Sequence, residues 1–206
     1  MLRLWFSEDK EIKIGLVIMA SGLGRRFGKN KLLEELGGKP LIKWILDATE
    51  GSFDKRVVVT RNEEVKILCD GLGIECIIHA LPNRNDTVRL GLSALADEVD
   101  YCFFSPGDQP LISVASITKL TETAKTHPDK IVRPRWGGTD GAPVGFPKRF
   151  FEALQSLPEG KGGNLIAQKD PESVLAIEIP DACELWDIDT AEDLEKIKAV
   201  LAAMSS

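Results

Sequence analysis

Residues 12–40 read IKIGLVIMASGLGRRFGKNKLLEELGGKP, and the fold turns on how this stretch is parsed. A buried apolar run ends at Ala20. A loop follows with Gly22, Gly24 and Gly28, the cations Arg25, Arg26, Lys29 and Lys31, and no acid before Glu34. Glycines and cations placed directly after a strand build a cradle for a multiply charged anion, of which a nucleoside triphosphate is the best fit. Pro40 opens the next apolar-periodic segment, LIKWILDA, as proline does in the first turn of a helix. The first helix therefore starts late, after a loop of about twenty residues, a length that is usually functional.

Outward from this stretch, short runs rich in β-branched residues alternate with amphipathic segments, the pattern of an α/β sheet protein. Strands are expected at 12–20, 56–60, 76–80, 101–105, 131–136 and 174–179. Helices are expected at 61–72, 113–127, 147–156 and 191–203, with another after the polar loop that begins LPNRND, where Asp86 is the expected cap. Pro106-Gly107 breaks the strand YCFFS and leaves Asp108 at its carboxyl end. Ligands of open α/β sheets bind beyond such ends, so Asp108 and the glycine loop are expected to face one crevice.

The 206 residues suit one well-filled core, and one domain over 1–206 is expected, with 1–11 as an N-terminal arm or added strand. A charged content of 28% and the lack of any apolar run near 18 residues argue for a soluble chain with no membrane partner. The net charge of −6 argues against a nucleic-acid binder and makes the basic cluster at 25–31 local, pointing to a small anion. Cys69, Cys76, Cys102 and Cys183 form no CxxC pair, and His79 and His127 have no metal-like spacing. Free thiols in a reducing cytoplasm are expected.

Two familiar phosphate motifs fail. Gly22-x-Gly24-x-x-x-Gly28 imitates a dinucleotide fingerprint, but that motif starts a helix within itself, and here Gly37, Gly38 and Pro40 postpone the helix. A P-loop fails because five residues separate Gly22 from Gly28, and Asn30 stands where a metal-binding hydroxyl belongs. A merely solvated charged face would not spend three glycines.

The ordered run MASGLGRRFGKNKLLEELGGKPL closely resembles the signature loop of MobA-like nucleotidyltransferases, most of all the molybdenum cofactor cytidylyltransferases. NDTVRLGLSAL at 85–95, SPGDQPLI at 105–112, DGAPVGF at 140–146, EGKGGNLI and WDIDTAEDL follow in the family's order, so the resemblance covers nearly the whole chain. Ala142, where those enzymes often carry histidine, and Asp86-Thr87, in place of a serine-rich run, depart from the pattern on the acceptor and base sides.

The resemblance implies a three-layer α/β/α, Rossmann-like, mostly parallel sheet with one antiparallel strand, of the nucleotide-diphospho-sugar transferase type. It implies transfer of CMP from CTP to the phosphate of a molybdopterin-type acceptor, with Mg2+ as cofactor, pyrophosphate as product and a molybdenum hydroxylase downstream. Lys31, Arg26 and Asp108 would be catalytic. Ala20, Ser21, Gly22, Leu23, Gly24, Arg25, Arg26, Lys31, Asn85, Thr87 and Gly107 would hold the nucleotide. Asp108 and Asp189 would hold the metal, with Asp187 as competitor for the second place, while Thr190 and Asp193 have the spacing of a helix-starting box. A side chain at Ser21 leaves less room for a purine and favours CTP over GTP. Transfer to a sugar or polyol phosphate, guanylyl transfer to molybdopterin, and a non-catalytic cofactor-delivery protein stay open as alternatives.

Overall fold

The computed structural model describes residues 11–22 and 30–204. Leu23, Gly24, Arg25 and Arg26, and residues 1–10 of the expected arm, lie outside the described residues. The first half runs β1 (Ile14–Ala20), a small hairpin of β2 (Glu35–Leu36) and β3 (Lys39–Pro40), α1 (Leu41–Ala48), β4 (Lys55–Thr60), α2 (Glu63–Gly71) and β5 (Glu75–Ile78). It continues with α3 (Arg84–Leu95), β6 (Tyr101–Pro106), α4 (Val114–Thr126), β7 (Ile131–Trp136), β8 (Thr139–Asp140) and β9 (Val144–Pro147). The last elements are α5 (Phe151–Gln155), α6 (Asn164–Lys169), β10 (Val174–Glu178) and α7 (Ala191–Met204).

The main sheet has the order β10-β7-β9-β6-β1-β4-β5, with the two-residue β8 beside β7. Every pairing along that path is parallel except those of β9, which runs antiparallel to both β6 and β7. This is the expected mostly parallel α/β sheet, with β9 reversed and, beyond the single reversed strand expected, the two-residue β8 also antiparallel to β7. From β1 the chain steps outward to β4 and β5, then returns to β6 on the other side of β1. The strand order reverses between β1 and β6, and the crevice beyond their carboxyl ends is where such sheets bind ligands.

Strand β1 is an unbroken apolar run because both of its faces are covered. Leu16 and Ile18 join a core with residues of α1, α2, α4 and α7, while Val17 joins a second core with residues of α3, α5 and α6. The same alternation divides Val58 from Val57 and Val59 on β4, and Phe103 from Cys102 and Phe104 on β6. Helix α3 lies close on β1 through Gly91, where an added Cβ would stand 2.3 Å from Val17 Cγ1. No described helix is long and apolar enough to cross a membrane.

Two sequence expectations shift. Asp86 does not cap α3: Asn83 is the N-cap, and Asp86 sits at the third helical position, where its carboxylate accepts the Asn83 N–H at 3.0 Å. Both residue types cap well, and α3 starts early enough for Asn83 to take that place. The long loop after β1 also has structure of its own. Asn30 caps a 3-10 turn at Lys31–Leu33, and Gly37 and Gly38, at φ +58° and +83°, close the β2–β3 hairpin. Trp44 of α1 donates its indole N–H to the Leu36 carbonyl at 2.9 Å and ties that hairpin to the body.

Candidate active site

Lys31 is the centre of the site. It is only 8% exposed, and its ammonium lies 2.6 Å from Asp108 Oδ2, 2.9 Å from Asp189 Oδ1 and 2.6 Å from the Ile188 carbonyl oxygen. Three acceptors match its three N–H donors. Burial alone would lower the amine's pKa, but the two carboxylates outweigh it and hold Lys31 above its ordinary value, so it stays charged.

Each member is placed by its local sequence. Asp108 follows the Pro106-Gly107 break, and Gly107 closes that turn by donating its N–H to the Met19 carbonyl at 3.0 Å, joining the ends of β1 and β6. The segment 184–189 is fixed to the Asp108 loop where Ile188 N–H donates to the Asp108 carbonyl at 3.1 Å. Gln109, 1% exposed, donates through Nε2 to the carbonyls of Ala142 at 3.0 Å and Glu184 at 2.5 Å. It thus ties three segments of the site together.

The helix start expected at 190–193 forms as a reciprocal box. Thr190 Oγ1 donates to Asp193 Oδ2 at 2.7 Å and accepts the Asp193 N–H at 3.2 Å. Capping therefore falls to Thr190 and Asp193, and the Asp189 carboxylate reaches Lys31 instead.

Asp187 lines the same cavity, with its side chain open to solvent. Desolvation first, then the charges of Asp108 and Asp189, push its carboxyl up to about 6, against the opposing pull of Lys31 and Arg84. Among the described residues no cluster reaches three metal-ligating His, Cys, Asp or Glu side chains. A pair of carboxylates does suit Mg2+, a hard cation that takes one or two protein carboxylates and completes its shell with water and substrate phosphates. Asp108 and Asp189, already gathered on one cation, are the pair that fits.

A cavity of roughly 1000 Å³ spreads from this centre over the carboxyl ends of the strands. One wall carries Ser21, Gly22, Arg61, Arg84 and Thr87, and the opposite wall Arg133, Asp140, Gly141 and Ala142, with Asp108, Asp187 and Asp189 also in the lining. Of the expected nucleotide residues, Ser21, Gly22 and Thr87 line this space. Ala20 is buried at the end of β1, and Gly107 serves the turn. Asn85 is directed to the 159–163 loop, its Oδ1 accepting the Gly160 N–H at 3.0 Å.

Three residues escape a reading of the sequence. His79 contacts Ser21 at 2.8 Å, although 58 positions separate them. Arg133, 9% exposed on β7, donates to the Gly141 carbonyl at 3.1 Å and stands 3.5 Å from Asp140. Arg61 and Arg133 each keep a buried Nε without a hydrogen-bond partner among the described residues. An arginine at the third position of IVRPRW reads as an ordinary strand residue, and only the folded chain places it in the cavity lining.

Comparison with known proteins adds a family and a fold. Residues 16–174 match the family described as the MobA-like NTP transferase domain. A probable molybdenum cofactor guanylyltransferase of Pyrococcus furiosus is 28% identical over 195 residues, covering 89% of this chain and 96% of that protein. A 2-C-methyl-D-erythritol 4-phosphate cytidylyltransferase of Endomicrobium trichonymphae is 31% identical over 119 residues, 55% of this chain and 54% of that one. A nucleotidyl transferase structure from Methanothermobacter thermautotroptrophicus superimposes with a TM-score of 0.79 at 21% identity, covering 93% of this chain and 99% of that one.

Proposed function

Since this chain belongs to the MobA-like NTP transferase family and is a nucleotidyltransferase, we propose that it transfers a nucleoside monophosphate, CMP from CTP, to the phosphate of a molybdopterin-type acceptor in the cytoplasm, with Mg2+ as its metal. The observation that carries this reading is the Lys31 ammonium held between Asp108 and Asp189 at the switch point of the sheet. The relatives' names support a molybdenum cofactor acceptor.

In the reaction an acceptor phosphate oxygen forms a bond to the α-phosphorus, and the bond from that phosphorus to the bridging oxygen of the β-phosphate breaks. Pyrophosphate leaves with the electron pair. A phosphate monoester has its second pKa near 6, so the attacking oxygen is already ionised at neutral pH and needs no general base. Catalysis then rests on positioning and charge neutralisation.

Lys31 is fixed in its charged form between Asp108 and Asp189, and with those two carboxylates engaged by a divalent cation its ammonium would be freed to stabilise negative charge gathering on the α-phosphate and the leaving group. Asp108 and Asp189 would hold the divalent cation, which supplies further neutralisation when bound. Arg26, outside the described residues, is assigned to the triphosphate with Lys31, and the backbone of 22–24 to its oxygens. The wall from Ser21 to Thr87 takes the base, and the Arg133 wall takes the acceptor. A cavity of roughly 1000 Å³ is at the upper end for a single small ligand and suits two substrates together.

Guanylyl transfer is the second reading, favoured by the names of the relatives that span most of this chain. Ser21, whose side chain narrows the base end, favours the pyrimidine. The test is pyrophosphate release with CTP, GTP, ATP or UTP, Mg2+, and either molybdopterin or a sugar phosphate as acceptor. Release with CTP and molybdopterin is expected. Release only with a sugar phosphate overturns the acceptor, release only with GTP overturns the nucleotide, and no release with any pair overturns the proposal.

A further inference from the structure

Ser21 is the first residue past β1, and it lines the cavity. Its Oγ lies 3.0 Å from the Val59 carbonyl oxygen, which can only accept, so the single hydroxyl hydrogen is committed there. A second neighbour, His79 Nε2, stands 2.8 Å away. With its hydrogen spent, Oγ can only accept from Nε2–H.

The other ring nitrogen gives the same answer independently. Leu81 donates its backbone N–H to His79 Nδ1 at 3.2 Å, which requires Nδ1 to carry no proton. Both contacts select one neutral tautomer, Nε2–H. Around the ring, burial and the Arg61 charge hold the imidazole below its ordinary pKa, against the opposing pull of Asp86.

A hydroxyl has one hydrogen and two lone pairs. Val59 takes the hydrogen and His79 takes one lone pair, so Ser21 offers the cavity a lone pair and no donor. We propose that His79 is a positioning residue that makes Ser21 an obligate acceptor, selecting nucleotides whose base carries an exocyclic amino group. This rests on the transferase reading, in which the Ser21 wall receives the base. A carbonyl at the same point of the base, as in UTP, would place two lone pairs face to face, and a C–H there, as in ITP, would leave the serine lone pair without a donor, mismatches that polar sites reject.

The test is the dissociation constant, with Mg2+, of two nucleotide pairs that differ in that group, CTP against UTP and GTP against ITP. In the wild type the amino-bearing member of the preferred pair binds about ten-fold more tightly, the range of one neutral hydrogen bond. S21A brings the ratio close to one. H79A lowers it too, because without Nε2–H held against it the Ser21 side chain can leave the rotamer that points its hydrogen at Val59 and donate to a base carbonyl.

H79Q, whose side-chain amide also donates an N–H, keeps most of the ratio. If H79A unfolds, H79L against H79Q decides the matter: leucine, which cannot donate, brings the ratio close to one, while glutamine keeps it. A ratio unchanged in S21A, equal binding of both members in the wild type, or a ratio in H79A or H79L as high as in the wild type overturns the proposal. Failure of all four nucleotides to bind overturns the transferase reading itself.

Discussion

The ammonium of Lys31 lies 2.6 Å from the Asp108 carboxylate, a contact between the loop that follows β1 and the turn that follows β6. Asp189 completes the group from a third segment at 2.9 Å. Removing the cation leaves two carboxylates facing each other. K31M is therefore expected to cost about 1–3 kcal/mol, a melting-point drop of several degrees, less than a fully buried pair because Asp189 is half open to solvent. Mg2+ should raise the melting point of K31M more than that of wild type, and an equal rise in both would contradict the assignment of these carboxylates to a metal.

D108N keeps the shape of the turn and removes a charge. The expected result is a loss of about 10²–10³ in kcat/KM, the scale of one electrostatic contact made to the transition state. Steady-state kinetics at saturating Mg2+ reads it. Wild-type activity in D108N would remove Asp108 from the site.

Asp187 gives a pH signature in metal-free buffer containing a chelator. Its carboxyl is pushed up to about 6 in the folded chain, against an ordinary value of 3.8, so the folded state holds the proton more tightly. Stability contributed by that proton is complete below the unfolded value and is lost as pH rises through the folded one. D187N should melt above wild type at pH 7.5, by a margin that solvent at the open side chain keeps small, and the difference should shrink as pH falls through 6 and vanish below 3.8. A D187N melting point equal to or below wild type at pH 7.5 would contradict this.

Arg133 tests the division of the cavity into two walls. Its guanidinium is buried beside an Asp140 carboxylate that Arg135 also contacts, at 2.5 Å, so its charge is only partly compensated. R133Q is expected to raise the KM of the acceptor about ten-fold or more, with the KM of the nucleotide unchanged. An effect on the nucleotide alone would place Arg133 on the other wall.

The approach of α3 to β1 is tested by a double-mutant cycle. G91A drives a methyl group into Val17 and should cost about 1–3 kcal/mol by overpacking. V17A removes the two nearest of the atoms it meets, so the double variant should be less destabilised than the sum of the single variants. Additive melting shifts would show that the two residues do not meet.

Much of this was legible in the sequence because it depends on local rules. The unbroken apolar run of β1, the glycine-bounded loops and the Thr190–Asp193 box all lie within short windows, and the loops that bear Lys31, Asp108 and Asp189 carry motifs. Asp86 was misplaced because Asn83 competes for the same capping role and only the start of the helix decides between them. His79 and Arg133 were invisible for another reason. Their contacts, to Ser21 and to Gly141, depend on which strands become neighbours, and a lone histidine after a strand or an arginine within one carries no spacing that reports it.

The most direct test of the account is a single-turnover reaction of CTP labelled at the α-phosphate with molybdopterin and Mg2+. The predicted result is label in a cytidylylated acceptor, with one pyrophosphate released per label transferred, and loss of that product in D108N and K31M. Label that stays in CTP or appears only as free CMP, or the same product yield from D108N, would contradict it.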